Sequence, residues 1–464
     1  MGLSKRSATI LAIYAALLLW ALPQTPLWLD EVLQFGNRRN GSVLELMRWA
    51  QLNAGASPLP YLLQKFCVNL LGYSAFAARL PAALCSILSA VVFAAISSRF
   101  LKERRWLALA MFLVLPIQFR YGIEARPYSQ GLLFSLLSLW IFLKLEERYS
   151  TGMAILYGLS VSAGLYSQPL TIFPALAQAI YALPKRRAPL LAVMAAVLSY
   201  LPWHFPAQAL YATVRPPTNF FSWRQIHPLV VVHGITGVGY VGAIPLLALA
   251  AWAIFEKSEA PARRLLYYTL AAAFAGPILM DAVFNYFFAD RQLLFAMPAV
   301  VLLAVTPWRV GFSPREALAS QPVSGAEAPR ELKPTLQMRF QRSGWRQPLI
   351  SCLAGIFVIA AAIKDFRQAV TPRDDLAATA DAIAAHLSPD VCVQAQPPGD
   401  IDYYLFFRPE LRARVCGAES AAPEIMIVAS SYTLPSERST PAGLSSVQTI
   451  KVGRSDLVLY RRPR

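Results

Sequence analysis

The chain is organised by long apolar runs that carry few charges and are broken by short clusters of Lys and Arg. They fall at 9–23, 80–97, 106–116, 129–143, 153–166, 170–183, 190–203, 238–255, 265–287, 293–307 and 349–363. A helix rises about 1.5 Å per residue, so the longer runs match a hydrocarbon core of about 30 Å. The shorter ones have room to tilt, pair or re-enter. These runs predict a polytopic α-helical membrane protein with about eleven transmembrane helices. The balance of residues agrees, with 56% hydrophobic, 15% charged and a mean hydropathy of +0.44. A net charge of +17 alone would suggest nucleic acid. Here the cations sit in the gaps between apolar runs, where topology and lipid headgroups account for them, so nucleic acid is set aside and membrane lipids are expected partners.

The same cations orient the chain. Lys5 and Arg6 precede the first run, and the Ala-Leu-Pro-Gln-Thr-Pro that closes it lacks a small-x-small cleavage site, which favours an uncleaved anchor over a signal peptide. With the N-terminus in the cytoplasm, the inner connections hold Arg99, Lys102, Arg104 and Arg105, then Lys144 and Arg148, then Lys185, Arg186 and Arg187, then Lys257, Arg263 and Arg264. That is the positive-inside bias. The first outer loop departs from it with Arg38, Arg39 and Arg48, which contact either lipid headgroups or an anionic substrate. Within that loop, Val43, Leu46, Met47 and Ala50 recur at helical spacing over 42–52, as in a short interfacial helix.

Parity then gathers four polar sites on one outer face. They are Asp30-Glu31, the loop Arg120 to Tyr128 with Glu124 and Arg126, the long loop from His204 through Arg215, Arg224 and His227, and Asp290-Arg291. Ionisable groups at helix ends of a membrane protein usually line a watered cavity.

The last hundred residues have a soluble pattern. Residues 372–387 read as an amphipathic helix, and 391–393, 424–429, 447–452 and 456–460 as short strands, giving a small α/β domain. The expected division is a transmembrane core with external loops at 1–308, a basic cytoplasmic loop at 309–347, a last helix at 348–363 and an extracytoplasmic domain at 364–464. None of the five cysteines forms a CxxC pair. Only Cys392 and Cys416 share a polar region, as a disulfide or as two free thiols.

The ordered loop motifs carry a resemblance. Asp30-Glu31, Pro58-Leu59-Pro60-Tyr61-Leu62-Leu63, Ala78-Arg79-Leu80-Pro81-Ala82, Tyr121-Gly122-Ile123-Glu124-Ala125-Arg126-Pro127-Tyr128 and Asp290-Arg291-Gln292-Leu293-Leu294 resemble the succession in GT-C glycosyltransferases. Within that superfamily the series is most similar to the bacterial family related to protein O-mannosyltransferases and lipid A aminoarabinose transferases. It extends over roughly the first three hundred residues. The resemblance implies transfer of a sugar from a polyprenyl-phosphate-linked donor to a hydroxyl of a lipid, glycan or protein acceptor, on the outer face of the bacterial cytoplasmic membrane.

It also implies roles. The acid of the first external loop, by match Asp30, is the base, because an acceptor hydroxyl is a poor nucleophile until a carboxylate takes its proton. The leaving group is a lipid phosphate, so cations rather than a partner acid are needed, and Arg126 and Arg291 are expected there with Lys65 and Arg79 behind them. Glu31, Tyr121, Glu124, Tyr128, His204 and Asp290 complete the expected substrate-binding set. A single displacement of this kind inverts the anomeric centre. The chain departs from the family at Ser57, where many relatives carry His or another polar residue, and in its rearranged Pro-Leu-Pro-Tyr. No metal is therefore expected to be required, and a divalent ion held by His204, His227 and a carboxylate is the alternative.

Each role has a plainer rival. Asp30 suits a helix cap, Glu31 a loop brace or a metal ligand, Glu124 and Arg126 a mutual ion pair, Arg291 a snorkelling anchor, and the tyrosines an interfacial belt. His233, in an apolar stretch, reads as helix packing. Two other functions share the gross pattern: a secondary transporter, which would carry interrupted helices near mid-membrane in repeated halves, and a non-catalytic component of a polysaccharide-export assembly.

Overall fold

The computed structural model describes residues 4–35, 41–52, 57–101, 104–214, 246, 248, 261–284, 289–305, 346–389, 391–396, 400–416, 424–429, 445–452 and 455–461. Most of the expected span at 238–255 and the basic stretch at 309–345 lie outside them, as do Arg38, Arg39, Lys102, Arg215, Arg224, His227, His233 and Lys257.

The described part of every other expected run is largely helical, with the run from 293 divided between a 3-10 turn and a helix. The chain runs through α1 (Lys5–Ala21), α2 (Leu29–Phe35), α3 (Val43–Gln51), α4 (Pro58–Leu71), α5 (Ala75–Phe100), α6 (Arg105–Leu113), α7 (Pro116–Gly122) and α8 (Tyr128–Glu147). It continues through α9 (Thr151–Ser167), α10 (Ile172–Ala182), α11 (Ala188–Val214), α12 (Pro261–Phe284), a 3-10 turn (Asp290–Ala296), α13 (Met297–Val305) and α14 (Arg346–Val370). Among the described helices, four stretches are long and apolar enough to cross a membrane: Ala75–Phe100, Tyr128–Glu147, Ala188–Thr213 and Arg263–Ala282. The protein is a polytopic helical membrane protein.

Packing follows from which faces are apolar. The α8 helix packs against α5 and α9 and buries residues all round, including Leu132, Leu136, Leu139 and Phe142, as a central helix must. By contrast α9 and α11 turn Ile155, Leu159, Leu191, Met194 and Leu198 outward, the residues of a lipid-facing surface. The 20 residues of α8 separate two polar levels by about 30 Å. At its far end Arg99 pairs with Glu147 at 2.6 Å and Lys185 with Glu146 at 3.3 Å, which groups the basic residues of the expected inner loops. At its near end lies the loop with Glu124 and Arg126.

Residues 376–461 form a helix-on-sheet unit with α15 (Leu376–His386), β1 (Val391–Gln396), α16 (Ile401–Phe407), β2 (Glu424–Ala429), β3 (Ser445–Val452) and β4 (Ser455–Arg461). The sheet order is β1-β2-β4-β3, with β1 and β2 parallel and the other pairs antiparallel. Alternation along β1 buries Val391, Val393 and Ala395 against Leu376, Ala380 and Ile383 of α15. Cys392 points to the opposite face and is disulfide-bonded to Cys416, their Cα atoms 5.1 Å apart. Of the two readings left open for these cysteines, the structure has the bonded one.

Candidate functional site

The polar site is built around α2, seven residues that follow directly on the segment leaving α1. Consecutive residues on a helix diverge by about 100°, so Asp30 and Glu31 cannot act as a matched pair. The structure sends them to different places.

Glu31 goes inward and is fully buried. Its Oε1 accepts from Arg79 Nε at 2.8 Å and from the Ala125 backbone N at 2.6 Å, while its Oε2 accepts from Arg79 Nη2 at 2.6 Å and from the Trp28 N at 3.1 Å. The remaining donors of Arg79 reach the carbonyls of Leu22, Thr25 and Pro26 at 2.8 to 2.9 Å. Arg79 stands one turn into α5, whose start is fixed by Ser74 accepting from the Ala77 N. The bidentate pair therefore fastens the end of α1, the start of α2 and the loop at Ala125 to one helix. The sequence reading put both residues among the substrate contacts; in the structure they are buried and bound to each other and to backbone groups of three segments.

Asp30 turns away from that fastening and keeps its side chain 20% exposed. Its Oδ2 lies 3.3 Å from Arg291 Nη1 and 3.6 Å from Arg126 Nη2. Arg126 also donates to the Asp30 carbonyl at 3.1 Å and to Gln34 Oε1 at 3.4 Å. Burial, the largest single effect, works against its charge, but Asp30 together with Tyr128 and Tyr61 offsets it and leaves the guanidinium above its usual pKa. Arg291 arrives on the 3-10 turn Asp290–Ala296, which approaches α8 so closely that a Cβ on Gly131 would lie 2.9 Å from Gln168 and 3.2 Å from Phe295. Its guanidinium lies over the Tyr128 ring at 5.9 Å, and Tyr128 packs on Tyr121 at 4.6 Å between centroids. Both tyrosines are buried, so they form a floor beneath Arg291 rather than an exposed belt.

Other expected residues lie apart from this cluster. Glu124 does not pair with the Arg126 side chain; its Oε1 accepts from Arg120 and Arg373, each at 2.9 Å. Lys65 Nζ donates to the Gly41 carbonyl and ties α4 to the start of α3. His204, on α11, lines an apolar cavity of about 250 Å³ with Leu165, Leu170, Phe173, Tyr200 and Met280. Ser57 donates to the Leu165 carbonyl at 2.8 Å and shares a hydrogen bond with the Tyr200 hydroxyl. The Asp290 side chain lies outside the described residues. Among the described residues no three His, Cys, Asp or Glu side chains gather as a metal site.

Some contributors were not legible beforehand. Gln34 and Gln64, both buried, run a relay in which Gln34 Nε2 donates to Gln64 Oε1 at 2.9 Å and Gln64 Nε2 to the Ala125 carbonyl at 2.8 Å. The signal available was Gln64 within an otherwise apolar helix face of α4. The helix-on-sheet unit also reaches the loop: Tyr403, Phe406 and Phe407 of α16 pack on Leu27, Val32 and Ala125. Burial pushes the Tyr403 hydroxyl up to about 12, with Asp400, Asp30 and Asp402 adding to it, so it stays neutral beside Asp30.

Asp374 joins the unit to α2, accepting from the Leu29 N at 2.7 Å. Burial raises its pKa, Asp375 and Glu31 push the same way, and the bonds from Leu29 N and Leu376 N oppose them. A carboxylate raised on folding binds its proton more tightly in the folded state. The stability this contributes is fully present below the unfolded value and is lost as pH rises through the folded one. Asp374→Asn should therefore show a smaller fall in thermal stability than wild type as pH rises above the ordinary carboxylate value of about 4. Parallel melting curves for the two proteins would exclude the effect.

Comparison with known proteins fits this arrangement. Residues 55–203 match the family model for dolichyl-phosphate-mannose-protein mannosyltransferase, a stretch that holds Arg79, Glu124 and Arg126 but not Asp30 or Arg291. No curated protein sequence matches the chain. Among solved structures, ArnT from Cupriavidus metallidurans in the apo state is similar with a TM-score of 0.57 at 18% identity, over 97% of this chain and 97% of that one. The same protein bound to undecaprenyl phosphate gives 0.55 at 16% identity and the same coverage. The chain shares the fold of ArnT. The resemblance carried by the ordered loop motifs thus extends to the whole architecture.

Proposed function

We propose that the protein is a glycosyltransferase that moves a sugar from a polyprenyl-phosphate donor to an acceptor hydroxyl, with inversion. The observation that carries the reading is the split of the two adjacent acids. Glu31 is consumed by Arg79, while Asp30 stays partly exposed with two guanidiniums beside it. The acceptor oxygen attacks the anomeric carbon as its proton passes to Asp30, and the bond from that carbon to the phosphate oxygen breaks. The released lipid phosphate takes the charge, which Arg126 and Arg291 stabilise as it grows. The floor of Tyr121 and Tyr128 keeps Arg291 in place.

ArnT, which shares the fold, has been solved with undecaprenyl phosphate. That likeness supports a polyprenyl chain here, and the apolar cavity beside His204 suits such a chain. The disulfide supports an oxidising, extracytoplasmic setting for residues 364–464 and hence for Asp30 on the same side. With the N-terminus in the cytoplasm and about eleven spans, the site opens on the outer face of the cytoplasmic membrane.

The test is transfer of labelled sugar from defined polyprenyl-phosphate donors to membrane extract by the purified protein. Transfer with at least one donor is expected, and its absence with every donor would sink the reading in favour of a transporter or a non-catalytic component. Arg291→Gln should lower kcat about a hundredfold, and Arg291→Lys should recover only part of that, since lysine lacks the planar fork. Equal rates for all three proteins would remove Arg291 from the mechanism.

A further inference from the structure

The ends of α1 and α14 enclose a second polar space, which shares Arg79 and Glu124 with the loop above but not Asp30, Arg126 or Arg291. It is a cavity of about 400 Å³ lined by Arg79, Arg120, Lys364, Arg367 and Arg373, with Glu124 as the acidic lining residue. Trp28 forms part of the wall, with the Arg373 guanidinium 3.2 Å from its ring centroid. Trp28 is 6% exposed, yet its indole Nε1 has no hydrogen-bond acceptor among the described residues, while Gln368 Oε1 and Glu124 Oε2 at the same cavity lack a donor, so the site offers both a donor for a phosphate oxygen and acceptors for a headgroup hydroxyl. Buried polar atoms left in this way call for a ligand or a solvent group.

An apolar surface leads up to the cavity. The α1 helix exposes Ile13, Leu17 and Trp20, and α14 exposes Ile359, Ile363 and Phe366, each set at the three- and four-residue spacing of one helix face. Trp20 and Phe366 stack with centroids 6.1 Å apart and planes 7° from parallel, which joins the two faces into one strip. Phe366 sits in sequence between Lys364 and Arg367, so the strip ends at the cavity's cations.

We propose that this cavity binds the phosphate headgroup of an anionic membrane phospholipid whose acyl chains lie along the strip. Guanidinium and ammonium donors match phosphate oxygens, and basic pockets at helix ends recognise such headgroups. A free phosphate ion would meet the same cations, and the strip that runs up to them is what favours a phosphate carried on acyl chains. Because Arg79 and Trp28 belong both to this wall and to the clamp on Glu31, the bound headgroup braces the loop that presents Asp30.

The test uses the full chain in phosphatidylcholine nanodiscs titrated with phosphatidylglycerol, and reads retained lipid by native mass spectrometry. Wild type should retain phosphatidylglycerol over phosphatidylcholine, and Lys364→Gln/Arg367→Gln should weaken that retention about tenfold or more. Arg367→Gln alone, at an exposed position, provides a milder version that leaves packing intact. Unchanged retention in both variants would overturn the proposal. So would equal retention of phosphatidylcholine, displacement of the lipid by inorganic phosphate at matched concentration, or loss of retention in Arg291→Gln instead, which would place the lipid at the Asp30 cluster.

Discussion

Asp30→Asn is expected to lower the rate of sugar transfer by about a thousandfold while leaving the protein folded and able to take its donor. The amide has the shape of the carboxylate but cannot accept the hydroxyl proton, and general-base contributions are commonly about 10² to 10⁴. The fall should appear in kcat. KM for the donor should hold or drop, because Arg126 and Arg291 lose the carboxylate at 3.6 and 3.3 Å that competes with an incoming phosphate. Asp30 is partly exposed, so its replacement removes a screened ion pair and stability should change little. Transfer kinetics and donor binding measured at equal protein give the answer. A variant as active as wild type would end the case for Asp30 as base. One that loses donor binding instead would make the residue an organiser of the two arginines.

What the sequence disclosed and what it hid divide along physical lines. Apolar runs disclose helices because burial in lipid demands continuous hydrophobicity, and so α5, α8, α9 and α11 stood out. The α4 helix did not, since Gln64, Lys65 and Asn69 interrupt it and its two prolines, which suit a first helical turn, read as loop punctuation. Cation parity drew Asp30, Arg126 and Arg291 to one face, and the structure brings those three within ion-pair reach. The pairing of Glu31 with Arg79 was hidden: the partners stand 48 residues apart, and nothing local distinguishes a buried arginine from an anionic-ligand contact. The same holds for the Gln34 to Gln64 relay. Helical geometry did contain one clue, for neighbours 100° apart on α2 had to face different surroundings once Leu29 to Phe35 was helical. The Cys392 and Cys416 alternatives needed a Cα separation, which no spacing along the chain supplies.

Glu31→Ala or Arg79→Ala should be the most damaging single changes to stability, about 3 to 5 kcal/mol each, because either leaves the other charge buried without its partner. Glu31 is fully buried and the Arg79 side chain is 4% exposed, so solvent gives little relief. The double replacement Glu31→Leu/Arg79→Met should be less harmful than the sum of the singles, since no lone charge remains. It should still fall short of wild type. The Trp28 and Ala125 N–H groups and the carbonyls of Leu22, Thr25 and Pro26 would lose the partners they now have. A double-mutant cycle on the apparent melting temperature in detergent reads this coupling. Additive losses would mean that the two side chains act independently and that the fastener is not a unit. The cycle also separates the two acids by function: Asp30 changes should move kcat at constant stability, whereas Glu31 changes should move stability first and take transfer down with it, because Asp30 sits one residue away on the same short helix.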